Sequence, residues 1–218
     1  MSVDRFVYIE KLAHVDRVVY HVRMPAKSKA SPKPAPLPAR DRILQTAHDL
    51  FYQEGIRATG IDRVIADAGV TKVTFYRHFP SKHQLVQAVL DVRHERWMAW
   101  FVDALQRHAA KKGAGLQAIV ATLSEWFAQS DFRGCAFINT VVELGGSVPS
   151  FVSTSRDHKQ AMTKAIMELM PPSDDRESNA AAVAMAIDGA IVRAQYAQRP
   201  EDALAPLSHL LRALEKSS

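Results

Sequence analysis

From Arg40 onward the apolar residues recur three and four apart, and no stretch alternates with the period of two that a half-buried strand shows. Ile43, Ala47, Leu50 and Phe51 share one face of a helix over about 40–54, which Gly55 ends. Ile61, Val64, Ile65 and Ala68 give the apolar face of a short second helix, closed by a left-handed corner at Gly69. Phe75 and Phe79, four apart, anchor a third. Thr59 followed by Asp62 has the spacing of a capping box for the second helix, Thr71 is placed to cap the third, and Ser81 after Pro80 to cap a fourth running to about 110. Further helical stretches fit 116–129, 136–144, 150–170, 174–198 and 201–216. Gly113 and Gly115, Gly134, Gly145-Gly146 with Pro149, Pro171-Pro172 and Pro200 punctuate them. The expected fold class is all-α, with about nine helices.

The chain opens differently. Residues 24–39 hold five prolines and three lysines, a composition that cannot bury apolar surface and predicts an extended linker. Residues 1–23 mix apolar and charged positions without a matching core pattern. Two readings stand for them: part of the protein, or an over-extended reading frame with the start at Met24.

Composition narrows the function classes. Among 218 residues, 47% are hydrophobic and 23% charged, enough to bury a core. The longest near-continuous apolar run, Ala180 to Ile187, is eight residues, against the ~20 that span a bilayer, so no membrane partner is expected. No secretory leader shows in Met1–Val22, which charges interrupt throughout. A single cysteine, Cys135, excludes an internal disulfide framework and fits a reducing cytoplasm. The net charge of +5 is unevenly spread. Residues 1–39 carry seven Lys/Arg against three acids, residues 40–83 seven against five, and the rest fourteen against fifteen. Positive charge gathers at the end that holds the short helices, as in a phosphate-binding module on a neutral body.

The third helix itself points to DNA. With Phe75 and Phe79 turned inward, the 100° step per residue turns Val73, Tyr76 and Arg77 outward, with Thr74 on the shoulder. Val73 and Thr74 offer methyl groups to thymine, Lys72 reaches a base edge or phosphate, and Tyr76 and His78 suit the sugar-phosphate backbone. Ile65-Ala66, Ala68-Gly69-Val70-Thr71, Thr74-Phe75-Tyr76-Arg77-His78-Phe79 and Ser81-Lys82 together resemble the DNA-binding signature of the tetracycline-repressor-like (TetR) family. Ile43-Leu44, Ala47, Leu50-Phe51 and Gly55-Ile56 are similar to that family's first helix. The resemblance is dense over about 40–89. It implies a helix-turn-helix head joined by a long helix to a C-terminal ligand and dimerisation domain, divided here as 1–39 extension, 40–98 head and 99–218 body. The DNA-facing set is then Thr59, Thr71, Lys72, Val73, Thr74, Tyr76, Arg77, His78 and Lys82, with Lys82 matching the family's phosphate-clamping lysine. Val73 departs from the small Gly often found there, which puts base preference at that step in doubt.

For the body, the resemblance implies an effector pocket and a dimer surface. Trp97, Trp100, Phe101, Trp126, Phe127, Cys135, Phe137 and Ile138 are the candidate pocket residues, with ordinary core as the competing reading. Cys135, near a helix start, is read either as an oxidant or electrophile sensor or as a small packing residue. Val183, Ala186, Ile187 and Ala190 on one helix and Leu204, Leu207, Leu211 and Leu214 on the next are the candidate dimer contacts, with packing inside one chain as the alternative. No zinc spacing, phosphate loop or nucleophile elbow is found, so no catalytic residue, metal or cofactor is expected. The expected partners are double-stranded DNA with a palindromic site, a second copy of the chain and a small apolar or aromatic effector. A constitutive DNA-binding protein without effector, or a small-molecule-binding enzyme relic, stands as the alternative.

Overall fold

The computed structural model describes residues 37–197 and 199–217, apart from the side chain of Ser217. Expectations for residues 1–36 lie outside the described residues. Among those described there are nine α-helices and no strand. They are α1 Ala39–Glu54, α2 Ile61–Asp67, α3 Lys72–His78, α4 Lys82–Ala109, α5 Gln117–Phe127, α6 Ala136–Leu144, α7 Pro149–Met167, α8 Arg176–Tyr196 and α9 Glu201–Ser217.

Helices α1 to α3 pack around Ile43, Ala47, Phe51, Val64, Phe75 and Phe79, all buried. Gly55, at φ 94°, ends α1 and donates its amide to the Phe51 carbonyl; Gly69, at φ 62°, makes the corner after α2. Both positions hold the left-handed backbone that glycine adopts without strain. Thr71 and Ser81 cap α3 and α4 as expected, accepting from the amides of Thr74 and Gln84 at 3.2 and 3.1 Å. The capping box at α2 is corrected. Gly60 holds the cap position without a side-chain bond, and Thr59 turns inward, 2% exposed, to donate to the Gly55 carbonyl at 2.8 Å. The wide loop before α2 needs its own carbonyl satisfied more than the helix needs a cap.

Helix α4, 28 residues and so about 42 Å long at 1.5 Å per residue, runs from the head into the body and packs on α1, α5 and α7. Arg107 near its end holds Glu125 of α5 at 3.0 Å. Beyond it α7 packs on α6 and α8, and α9 on α8 and α5. Lys159 of α7 and Asp188 of α8 form a half-buried ion pair that ties those two helices. No described helix is long and apolar enough to cross a membrane.

Candidate nucleic-acid interface

Helix α3 has seven residues, too few to be stable alone, so its geometry is imposed by what it is rooted in. Phe75 and Phe79 are buried, their ring centroids 6.3 Å apart, and the Arg40 guanidinium sits 5.5 Å over the Phe79 ring. The preceding corner is held by a residue that the helical pattern does not single out. Arg42 of α1 donates to the carbonyls of Ala68 at 3.1 Å and Gly69 at 3.3 Å, and also to that of Leu37. It thereby occupies carbonyls left open at the end of α2. Its signal in the sequence is only a long donor one turn from the helix start, which by itself says nothing about its partner.

The opposite face of α3 is open. Val73 is 80% exposed, and Thr71, Lys72, Tyr76 and Arg77 are exposed around it. Tyr76 leans edge-on against Phe75, which orients its phenol outward. Lys72 lies 3.7 Å from Asp62 with both side chains largely in water, a contact too weak to hold it from a stronger partner. Two members of the candidate set are placed otherwise than the pattern suggests. Thr59 is buried, as above, and is not on this face. The Thr74 hydroxyl is engaged with that of Thr71 at 2.9 Å, so its methyl is the free group. His78 is half-buried. Lys82 sits half-buried at the start of α4, its ammonium pKa pushed down by burial while Glu143 pulls the other way.

In the body the candidate pocket residues lie together, but as a stacked cluster. Trp97 stacks on Phe101 at 4.6 Å and meets Trp126 at 5.3 Å; Phe137 stacks on His158 at 3.7 Å. Trp100 and Ile138 are half-buried at its margin, Phe127 packs against Trp126, and Cys135 is a buried free thiol just before α6. Inside the cluster the Nδ1 atoms of His94 and His158 are 3.1 Å apart. Helical spacing on α4 and α7 places these two histidines on separate elements, so nothing in the sequence pairs them. Burial, with Lys159, His94 and Arg93 acting in the same direction, holds the His158 imidazole neutral, its pKa down at about 2. The Trp97 indole N–H is buried and has no acceptor.

Two open spaces lie elsewhere. A cavity of about 380 Å³ sits where α1, α4 and α6 meet, and one of about 210 Å³ lies among Leu116, Met170, Arg176 and Leu214. Neither is lined by the stacked aromatics.

The dimer candidates are corrected as to face. Val183, Ile187, Ala190, Leu204, Leu207 and Leu211 are buried within the chain, and Ala186 and Leu214 are half-buried against the same core. Outward instead point Met185, Val192 and Tyr196 of α8, at 73%, 42% and 72% exposure, with Leu210 of α9 beside them at 47%. Met185, Gly189, Val192 and Tyr196 follow a four-three-four spacing, one helical stripe. Because α8 is apolar nearly all round, its periodicity could not choose between the two faces.

With this geometry in hand, the comparisons agree on one lineage. The sequence profile of the bacterial regulatory proteins of the tetR family matches residues 43–89, from within α1 to the first two turns of α4. The regulator TtgR of Pseudomonas putida is 41% identical over 56 residues, 26% of this chain and 27% of that protein. The repressor ComR of Escherichia coli is 26% identical over 145 residues, 66% of this chain and 68% of ComR. A TetR-family transcriptional regulator from Streptomyces coelicolor superimposes with a TM-score of 0.71 at 28% identity, over 82% of this chain and 89% of that one. The match to TtgR spans about a quarter of that protein's length, whereas the structural match runs through head and body alike. Residues 43–89 thus match the DNA-binding head of the tetR family of bacterial regulatory proteins, and head and body together resemble a TetR-family transcriptional regulator.

Proposed function

We propose that the protein is a cytoplasmic, homodimeric repressor that reads a palindromic operator with the outer face of α3. The observation that carries this is the two-sidedness of that helix: phenylalanines rooted in the core on one side, and Val73, Tyr76 and Arg77 free on the other. Lys72 and Lys82 flank it as phosphate contacts, and Thr74 presents its methyl. One short helix reads few base pairs, so two copies must act together on half-sites roughly 34–36 Å apart. The stripe of Met185, Gly189, Val192 and Tyr196 with Leu210 suits a second copy, because it is apolar and no part of the described chain covers it. Recovery of genomic fragments bound by the purified protein tests the reading. Wild type should enrich a palindrome, and Tyr76→Ala should bind those fragments and random DNA more weakly alike. No enriched palindrome, or full affinity in the variant, would overturn it.

Release by a small apolar or aromatic effector is the regulatory half of the proposal. The aromatic cluster of the body supports it through the Trp97 N–H, a buried donor that a ligand acceptor would satisfy. The same cluster also favours a second reading, because its rings already fill the space around Trp97. In that reading the protein binds DNA constitutively. A compound that quenches tryptophan fluorescence and releases operator with one midpoint supports the first; failure of a broad apolar panel to do both supports the second.

A further inference from the structure

The junction between α1, α4 and α6 is stitched by polar contacts. Tyr52 of α1 donates to the Gly134 carbonyl at 2.9 Å and accepts from the Arg133 amide at 3.0 Å. Gln53 donates to the Asp131 carbonyl, and the Arg57 amide donates to Glu143 of α6 at 2.7 Å. Between these stitches lies the cavity of about 380 Å³, within the volume range of small-molecule sites. Its floor is apolar, formed by Phe51, Ile56, Val89 and Leu90.

Arg93 of α4 lines this cavity, and its surroundings are unusual for a half-buried cation. One N–H points at His48 Nε2 at 3.0 Å, and the guanidinium lies 4.1 Å over the Tyr52 ring. His48 turns its other nitrogen to Asp49 at 2.9 Å, which leaves Nε2 facing Arg93. Among the described residues Arg93 has no carboxylate within salt-bridge distance. A cation drawn partly out of water without a counter-charge is an incomplete arrangement. Of the carboxylates that share the lining, Glu143 is engaged with the Arg57 amide, while Glu54 is exposed and only loosely paired with Arg63 at 3.7 Å. A cationic ligand would therefore find Glu143 in use and meet an arginine that repels it.

We infer that the cavity where α1, α4 and α6 meet is a binding site for a small amphipathic carboxylate, whose carboxylate pairs with Arg93 and whose apolar body lies on the Phe51–Ile56–Val89–Leu90 floor. Guanidinium has five N–H donors in a planar fork that matches a carboxylate in two parallel bonds, and the His48 contact uses one of them. The site is separate from the aromatic cluster of the body and touches the head directly through α1.

Calorimetric titration of the full chain at pH 7.5 with sodium octanoate, octanol and octylamine tests this without any DNA, so its failure leaves the operator reading standing. Octanoate should saturate one site per chain and bind at least about tenfold tighter than octanol or octylamine. Arg93→Gln should bring octanoate down to the level of octanol. A purely structural arginine would change stability in that variant but not the ratio between the two ligands. A photoreactive diazirine analogue of octanoate locates the site even if Arg93→Gln does not fold. Labelled peptides should come from residues 51–56, 86–93 or 136–143. Equal affinity for octanoate and octanol, an unchanged preference in a folded Arg93→Gln, or label confined to other segments would overturn the assignment.

Discussion

Acidification should unfold this protein through one histidine in particular. His158 is buried between Phe137 and Trp97, and burial lowers its pKa from the ordinary 6.5 to about 2. In the unfolded chain the same imidazole takes up a proton below about pH 6.5. Over the window between the two values the unfolded state binds the extra proton, so stability falls as pH falls, by at most about 1.4 kcal/mol per pH unit. From pH 7.5 to 5.0 the loss from this single group comes to about 2 kcal/mol, and any folded-state pKa well under 5 gives the same figure. Above about pH 8 the group contributes almost no slope. Urea unfolding followed by tryptophan fluorescence at fixed protomer concentration measures it. His158→Gln keeps a comparable volume and hydrogen-bonding capacity toward His94 but cannot titrate there. Its absolute stability falls through the lost ring stacking, by about 1 kcal/mol, and its decline between pH 7.5 and 5.0 should be about 2 kcal/mol shallower than wild type. Parallel declines in the two proteins would refute the reasoning.

Other outcomes follow from the head and the outer face of α8. Arg42→Ala, which removes the donors to Ala68 and Gly69, should lower stability by about 1–2 kcal/mol in a thermal melt and weaken operator binding although Arg42 lies on α1 and not on α3. Val73→Ala should leave stability within about 0.5 kcal/mol yet change base preference at one step, read by competitive binding to operator variants. Lys82→Ala should reduce the slope of log affinity against log salt by about one unit. Tyr196→Glu, on the exposed stripe, should yield a folded monomer by sedimentation, whereas Leu207→Asp, at a buried site, should lose several kcal/mol of folding stability.

Helix positions were legible because spacing, caps and breakers agreed: α6 runs Ala136–Leu144 as read, and the ends of α7 and α8 shift by three residues or fewer. The exposed face of α3 was legible for the same reason, since the two phenylalanines define its back. Thr59 was misplaced because a capping box and a buried loop hydroxyl look alike until the path of residues 55–60 is known. The pairing of His94 with His158, 64 positions apart, and the hold of Arg42 on the α2 corner depend on tertiary contacts with no periodic trace. On α8, alanine on every side leaves no moment to read, and the inner and outer faces were exchanged.

Val73 stands in water while Phe75, two positions on, carries the fold. On the proposed reading, the letters that choose an operator and those that keep the head intact are written on different sides of the same seven residues. A lineage of such proteins would then exchange Val73, Arg77 or Lys72 one at a time and move to a new promoter without passing through an unfoldable ancestor. Divergence of regulatory targets is therefore cheap for this scaffold, and duplicated copies can part ways in what they control long before they part ways in shape.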